Sequence, residues 1–173
     1  HVLIGKERHD IGRPNTWGSP TRGIVKDDQL YLHNFTTDRW PGGNPETGYL
    51  NCDGSPTKSL ILPQRREGMY HFWNLTFGKR PQEEMVELNS DADCVKNLAK
   101  SGSHSELKAA LKEQLFAELR EQGDPRMFGK GDVFDNYPYS GESTDNFYRR
   151  YMGGEKVRAG WVRPTDFEKE KLD

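Results

Sequence analysis

The sequence predicts an α+β fold: a small antiparallel sheet of about four strands, one long helix packed on it, and an irregular aromatic tail. Three observations predict this. Residues 22–25 and 29–35 are short apolar runs flanking a polar turn, Lys26-Asp27-Asp28. Residues 84–88 alternate apolar and polar side chains. Leu107, Leu111, Leu115 and Leu119 then recur every four residues, the spacing of one helical face.

Taken in order, Val2-Leu3-Ile4 reads as a strand running into the polar cluster Lys6, Glu7, Arg8, His9 and Asp10, followed by a Gly/Pro loop. In residues 29–35, Leu30 and Leu32 share one face and Tyr31, His33 and Phe35 the other. Neither face is polar, so both are expected to be covered. Residues 38–58 are rich in turn formers and read as a long functional loop holding Trp40, Tyr49 and Leu50. Leu60-Ile61-Leu62 is too short to assign, and residues 70–77 fit a strand or a short helix. Ser103 and Glu106 have capping-box spacing for a helix over residues 103–122, with Gly123 and Pro125 as its stop. Residues 124–173 show little periodicity beyond a short helix within 145–152, and their aromatics suggest wrapping across a larger body. The expected organisation is therefore 1–20, 21–123 and 124–173.

Composition excludes several function classes. The chain has 173 residues, 32% hydrophobic and 30% charged, with a net charge of −2 and a pI near 6.3. A mean hydropathy of −0.97 without a long apolar run argues against a membrane span. Scattered basic residues leave no nucleic-acid footprint. Cys52 and Cys94 form neither a disulfide framework nor a zinc cluster. Leu, Ile, Val and Phe make up only about 19% of the chain. With charges nearly balanced and 11% aromatic residues, this points to a fold that buries surface against something else rather than to disorder. The chain starts on His1 with an apolar triplet and no leader, so a cut from a longer polypeptide is expected.

Lys6, Arg8 and His9 form the first candidate site. Arg and Lys bind sulfate, phosphate or carboxylate through charge-assisted hydrogen bonds, and His can add a donor or move a proton. A solvated charged turn is the plain alternative. Asp53 and Lys58, in Asn51-Cys52-Asp53-Gly54-Ser55-Pro56-Thr57-Lys58, form a second set that could face a sugar or an anion; a turn ending the loop is the plainer reading. Cys52 lacks a paired His, and Cys94 is expected in a core or under a turn. His33 and His71 read as structural, and His104 as exposed near a helix cap. Asn34-Phe35-Thr36 and Asn74-Leu75-Thr76 match the glycosylation pattern, with both placed within sheet. No phosphate loop, Gly-x-Ser-x-Gly run or His-x-x-x-His spacing is present, and the residues assemble no complete catalytic constellation.

The segment Glu84-Met85-Val86-Glu87-Leu88-Asn89-Ser90-Asp91-Ala92-Asp93-Cys94-Val95-Lys96-Asn97-Leu98-Ala99 resembles a pattern near the C-terminus of type I sulfatases. There it reads Glu-Leu-Tyr-Asp-Leu, two residues, Asp-Pro and, after a short gap, Asn-Leu-Ala before a helix. Here Met85, Val86 and Glu87 are substituted, and Ala92 replaces the Pro. Residues 5–9, 20–25 and 30–35 resemble the stretch joining the large sulfatase domain to the small one. Asp38-Arg39-Trp40-Pro41 through Asp53-Gly54-Ser55-Pro56-Thr57-Lys58 resembles the heparan N-sulfatase (sulfamidase)-like branch.

This resemblance covers about residues 1–140 and extends to the tail, and it implies the C-terminal subdomain of an alkaline-phosphatase-like sulfatase acting on sulfate esters or N-sulfates of a glycosaminoglycan. It implies a partner, the large N-terminal domain, carrying a formylglycine nucleophile and a calcium ion. This chain would hold no catalytic residue and no metal, and would be inactive alone. It also implies a periplasmic or secreted location, and it places Lys6, Arg8 and His9 at the pocket mouth, with Asp53 and Lys58 as weaker contacts. The competing readings are a stand-alone carbohydrate-binding or protein-interaction module, and a small complete enzyme using Arg8 and His9.

Overall fold

The computed structural model describes residues 1–9, 11–139, 141 and 144–172. The chain divides into two compact units that interleave along the sequence. The first comprises His1–Glu7, Pro20–Thr36 and Pro81–Asn136, the second Arg8–Ser19, Thr37–Arg80 and Tyr137–Asp173.

The first unit is α+β. Strands β1 (Val2–Lys6), β2 (Thr21–Lys26), β3 (Gln29–Asn34) and β4 (Glu83–Glu87) form a four-stranded sheet in the order β1-β2-β3-β4, all antiparallel. Asp27 and Asp28 turn the β2–β3 hairpin with φ of 48° and 60°. Two left-handed residues are what a two-residue hairpin needs to match strand twist, and Asp tolerates that region.

Cross-strand register sorts the side chains. Leu3, Ile24, Tyr31 and Met85 form one row and pack with Leu111, Leu115 and Leu119 of α3 (Ser105–Glu121). Gly5, Arg22, His33 and Glu83 form the next row on that face. A Cβ at Gly5 would sit 3.1 Å from Arg22 Cδ, so glycine there lets Arg22 lie across β1. The opposite face carries Val2, Val25, Leu30 and Val86, then Ile4, Gly23, Leu32 and Glu84. Neither face is wholly polar, as the β3 sequence suggested, but Val2 (61%) and Ile4 (41%) remain exposed.

The start of the long helix departs from expectation. Gly102–His104 is a 3-10 turn, and α3 begins at Ser105 with no side-chain cap. Ser103 Oγ pairs with Ser101 and His104 instead, so the spacing exists without the capping box. Leu107, first of the stripe, is exposed because it lies beyond the sheet core.

The second unit holds the residues that resisted assignment. Its regular pieces are α1 (Pro56–Arg66), α2 (His71–Thr76) and α5 (Phe147–Met152); α4 (Val133–Asn136) belongs to the first unit. The Ser55 side chain accepts from Lys58 N at 3.1 Å and Pro56 occupies the first turn, so Ser-Pro is a helix start rather than the end of a loop. Leu60-Ile61-Leu62 therefore lies in α1, with Ile61 and Leu62 buried and Leu60 exposed. Two apolar clusters build this unit. One joins Trp40, Tyr49, Ile61, Leu62, Trp73 and Phe77; the other joins Ile11, Leu50, Phe147 and Ala159. The tail thus supplies core to the unit formed around residues 37–80. Among the described residues no helix is long and apolar enough to cross a membrane.

Candidate functional site

The charged cluster after β1 divides between the two units. Lys6 is exposed at the strand end. Glu7 is chelated by Arg126, with Nε and Nη2 each 2.6 Å from its carboxylate oxygens, and Arg22 Nη2 lies 2.7 Å from it. Arg22 Nε also donates to Asp124 Oδ2 at 2.6 Å. Phe134 flanks both guanidinium groups, at 5.7 Å from Arg22 and 5.4 Å from Arg126. Burial works to lower the Arg22 pKa, but the bonds and charges of Asp124 and Glu7 outweigh it and hold the value above the ordinary one. This is a closed ion network that pins the end of α3 to the sheet, and Glu7 belongs to it.

Arg8 and His9 sit in the second unit. Arg8 Nη2 donates to the carbonyls of Tyr137 (2.8 Å) and Pro138 (3.2 Å), and its guanidinium lies 5.5 Å from the Tyr139 ring centre. The group therefore orders the start of the tail. His9 is exposed. Asp10 lies outside the described residues.

Lys58 and Asp53 part company. Asp53 is exposed. Lys58, 3% exposed, points inward from the first turn of α1. Its Nζ donates to the carbonyls of Cys52 (2.7 Å), Gly48 (2.8 Å) and Tyr49 (3.4 Å), and Asp166 Oδ2 lies 3.3 Å away. Burial pulls its pKa below the ordinary lysine value, partly opposed by Asp166. Lys58 ties loop, helix and tail together instead of facing a ligand. The turn composition around it carried no sign of that, because its counter-charge lies in the tail.

The remaining reactive side chains are dispersed. Cys52 is half-buried, and Cys94 is exposed in a turn with φ of 54°, not in a core. His33 is buried with ring contacts to Phe35 and Phe116; burial first, then Lys112, lowers its pKa, opposed by Glu83. His71 is exposed beside Phe72, and His104 is half-buried against Ser101 and Ser103. Asn34 is buried in β3, whereas Asn74 is exposed in α2 rather than in sheet. Among the described residues no three His, Cys, Asp or Glu side chains converge as a metal site requires.

The polar residues of the 84–99 segment build a turn. Glu84 accepts from Asn34 Nδ2 at 2.8 Å. Asp91 caps the amides of Val95 (3.2 Å) and Lys96 (2.7 Å). Asn97 Oδ1 accepts from the amides of Met85 (3.0 Å) and Ala99 (2.9 Å), and its Nδ2 donates to the Glu83 carbonyl (3.1 Å). Glu84 thus ties β4 to β3, Asp91 closes the turn that follows, and Asn97 fastens β4 to the chain that leads into α3.

A cleft not anticipated from the sequence lies in the second unit. It measures about 550 Å³ and is lined on its polar side by Arg65, Arg66, Glu168, Lys169 and Glu170. A second cleft of about 510 Å³, walled by Tyr151, Val157, Ala159 and Val162, shares Pro164 and Phe167 with it as lining. Arg66 Nε donates to Glu168 Oε2 at 3.0 Å, and Arg65 Nη1 lies 3.5 Å from the same oxygen. The adjacent arginines were visible in the sequence, but Glu168 and Lys169 lie about a hundred residues on, so no local pattern joined them. No protein-family model matches this chain, and no curated protein matches it.

Proposed function

We propose that this chain is the C-terminal part of a type I sulfatase of the heparan N-sulfatase-like branch, serving an enzyme that hydrolyses sulfate esters or N-sulfates of a sulfated glycan. The observation that carries the reading is the work done by Glu84, Asp91 and Asn97. These are the polar residues that the sulfatase pattern shares with this chain, and each has a defined bond: Glu84 to β3, Asp91 within the turn after β4, and Asn97 between β4 and the chain ahead of α3. The exposed Val2 and Ile4 supply an apolar strip on the edge strand β1 for a larger domain to cover, although Val86 on the same face is already buried.

In this reading the nucleophile comes from the large domain. Neither Cys52-Asp53-Gly54-Ser55 nor Cys94-Val95-Lys96-Asn97 offers the Cys/Ser-x-Pro/Ala-x-Arg run that formylglycine formation needs. Among the described residues no carboxylate cluster gathers to hold calcium, and in this reading that ion belongs to the large domain as well. The resemblance to sulfatases is what puts Arg8, His9 and Lys6 forward as the groups of this chain that would face the glycan. The test is the encoding reading frame. A Cys/Ser-x-Pro/Ala-x-Arg codon run a few hundred residues before His1 is expected, and a start codon immediately before His1 refutes the proposal. Hydrolysis of 4-nitrophenyl sulfate by the isolated chain would refute it equally.

A further inference from the structure

We infer that the cleft walled by Tyr151, Val157, Ala159 and Val162 binds a small carboxylate with an aromatic body, held at its charged end by Arg158. The whole lining belongs to the second unit. Among the described residues that form it, only Arg158 is charged. Its side chain is exposed, and among the described residues it meets no carboxylate, carbonyl or ring. Other arginines of this unit differ: Arg66 donates to Glu168, Arg150 to Glu155 and Arg163 to Ser59. Arg158 thus brings an accessible, uncommitted guanidinium to the rim of an apolar cleft.

The rest of the lining selects the body of the ligand. The rings of Tyr151 and Phe167 lie 5.2 Å apart, tilted by 38°, and Tyr151 also stacks on the buried Phe147 at 5.9 Å, which holds its ring in place. A flat ring seated against them gains offset or edge contacts and releases water from apolar surface. Its carboxylate at the rim matches the planar fork of the guanidinium, whereas a cation there would be repelled. The volume of about 510 Å³ falls within the range of small-molecule sites, about 300–1,000 Å³, and an apolar wall with a single charge is their usual make-up. The neighbouring cleft has no such bias, because Glu168 and Glu170 offset its basic residues. Gly160 leaves its side of the cleft open, since a Cβ there would meet nothing within 4 Å. The inference needs no catalytic group and does not rest on the sulfatase reading.

Calorimetric titration of the full chain with phenylacetate, phenethyl alcohol, phenethylamine and acetate tests it. Saturable binding of phenylacetate is expected, about fivefold tighter than the alcohol, which in turn exceeds the amine. Acetate, which has the charge without the ring, is expected not to saturate. Arg158→Gln removes a side chain with no protein partner to lose, so the fold is kept. It should bring phenylacetate down to the affinity of the alcohol and leave the alcohol unchanged. Gly160→Glu, at an exposed position with open space for a Cβ, sets a carboxylate at the same cleft and should weaken phenylacetate at least as much. Absence of saturable phenylacetate binding, equal affinity for the three phenyl compounds, acetate bound as tightly as phenylacetate, or indifference to either variant would overturn the inference.

Discussion

Replacing Lys58 by Met removes a buried ammonium and leaves its surroundings in place. Asp166 is 1% exposed, and one of its oxygens, Oδ1, is already without a partner. Without Lys58, Oδ2 keeps only the amide of Arg163 at 3.0 Å. The carbonyls of Gly48 and Cys52 lose donors at 2.8 and 2.7 Å. Breaking a buried pair by deleting one partner costs about 3–5 kcal/mol, because the other charge is stranded. Water entering the loop satisfies part of the carbonyl loss, so a value of about 4 kcal/mol is expected. With a urea slope of about 2 kcal/mol per molar, the midpoint falls by about 2 M. Trp40 and Trp73 lie in the same core cluster and report the transition by fluorescence. The double variant Lys58→Met with Asp166→Asn removes the stranded charge and should recover about 2 kcal/mol, a coupling read from a double-mutant cycle. A single-variant loss below about 1 kcal/mol, or strict additivity in the cycle, would refute the argument that this ion pair holds the second unit together.

Two further perturbations probe the first unit. Hydrogen bonds from Lys112, then Lys108 and Tyr31, pull the Glu83 carboxyl down to about 2. A depressed carboxylate contributes stability that is complete above its unfolded value and lost as pH falls through the folded one. Glu83→Gln should therefore cost about 1–2 kcal/mol at pH 7, allowing for solvent screening, and the gap to the parent should close between about pH 4.5 and 2. Far-UV circular dichroism in urea follows it. Asn97→Ala deletes two accepted bonds and one donated bond, for a loss of about 2–3 kcal/mol, and Asn97→Asp restores the acceptor and about half of that. Faster amide exchange at Met85 and Ala99 in the alanine variant is the local readout; unchanged exchange there would count against the role assigned to this side chain.

The sheet was legible because its information is local. Alternation over residues 84–88 and the polar turn at residues 26–28 need no distant partner to be read. The i, i+4 leucines showed α3 for the same reason, although the cap was misread: Ser103 had closer hydroxyl and imidazole partners than the helix amides. Helix α1 hid behind ambiguous residues. Asp-Gly-Ser-Pro is turn chemistry, Ser-Pro is also a helix start, and Pro63 argues against a helix interior until its place in the final turns of α1 is seen. The candidate sites were less legible. Which charges are exposed and which are buried depends on pairs such as Lys58 with Asp166, formed by segments far apart in the chain.

The shortage of aliphatic residues acquires a different meaning once the two units are considered separately. Taken over the whole chain, it suggests surface awaiting a partner. The second unit answers much of that shortage internally. It replaces aliphatic volume with Trp40, Tyr49, Trp73, Phe77 and Phe147, and it buries Lys58 and Asp166 as a bonded pair. Aromatics bring large apolar area per residue, so few aliphatics are needed. The first unit does the reverse: it exposes Val2 and Ile4 on the sheet face turned away from α3. A strand with apolar residues on both faces is ordinarily covered on both. A covering domain would therefore meet the edge strand β1, since Val86 on the same face is already buried. Val2→Thr with Ile4→Thr should leave the stability of the isolated chain nearly unchanged while weakening its union with a larger domain. A loss of more than about 1 kcal/mol from the isolated chain would show that the face is already covered from within.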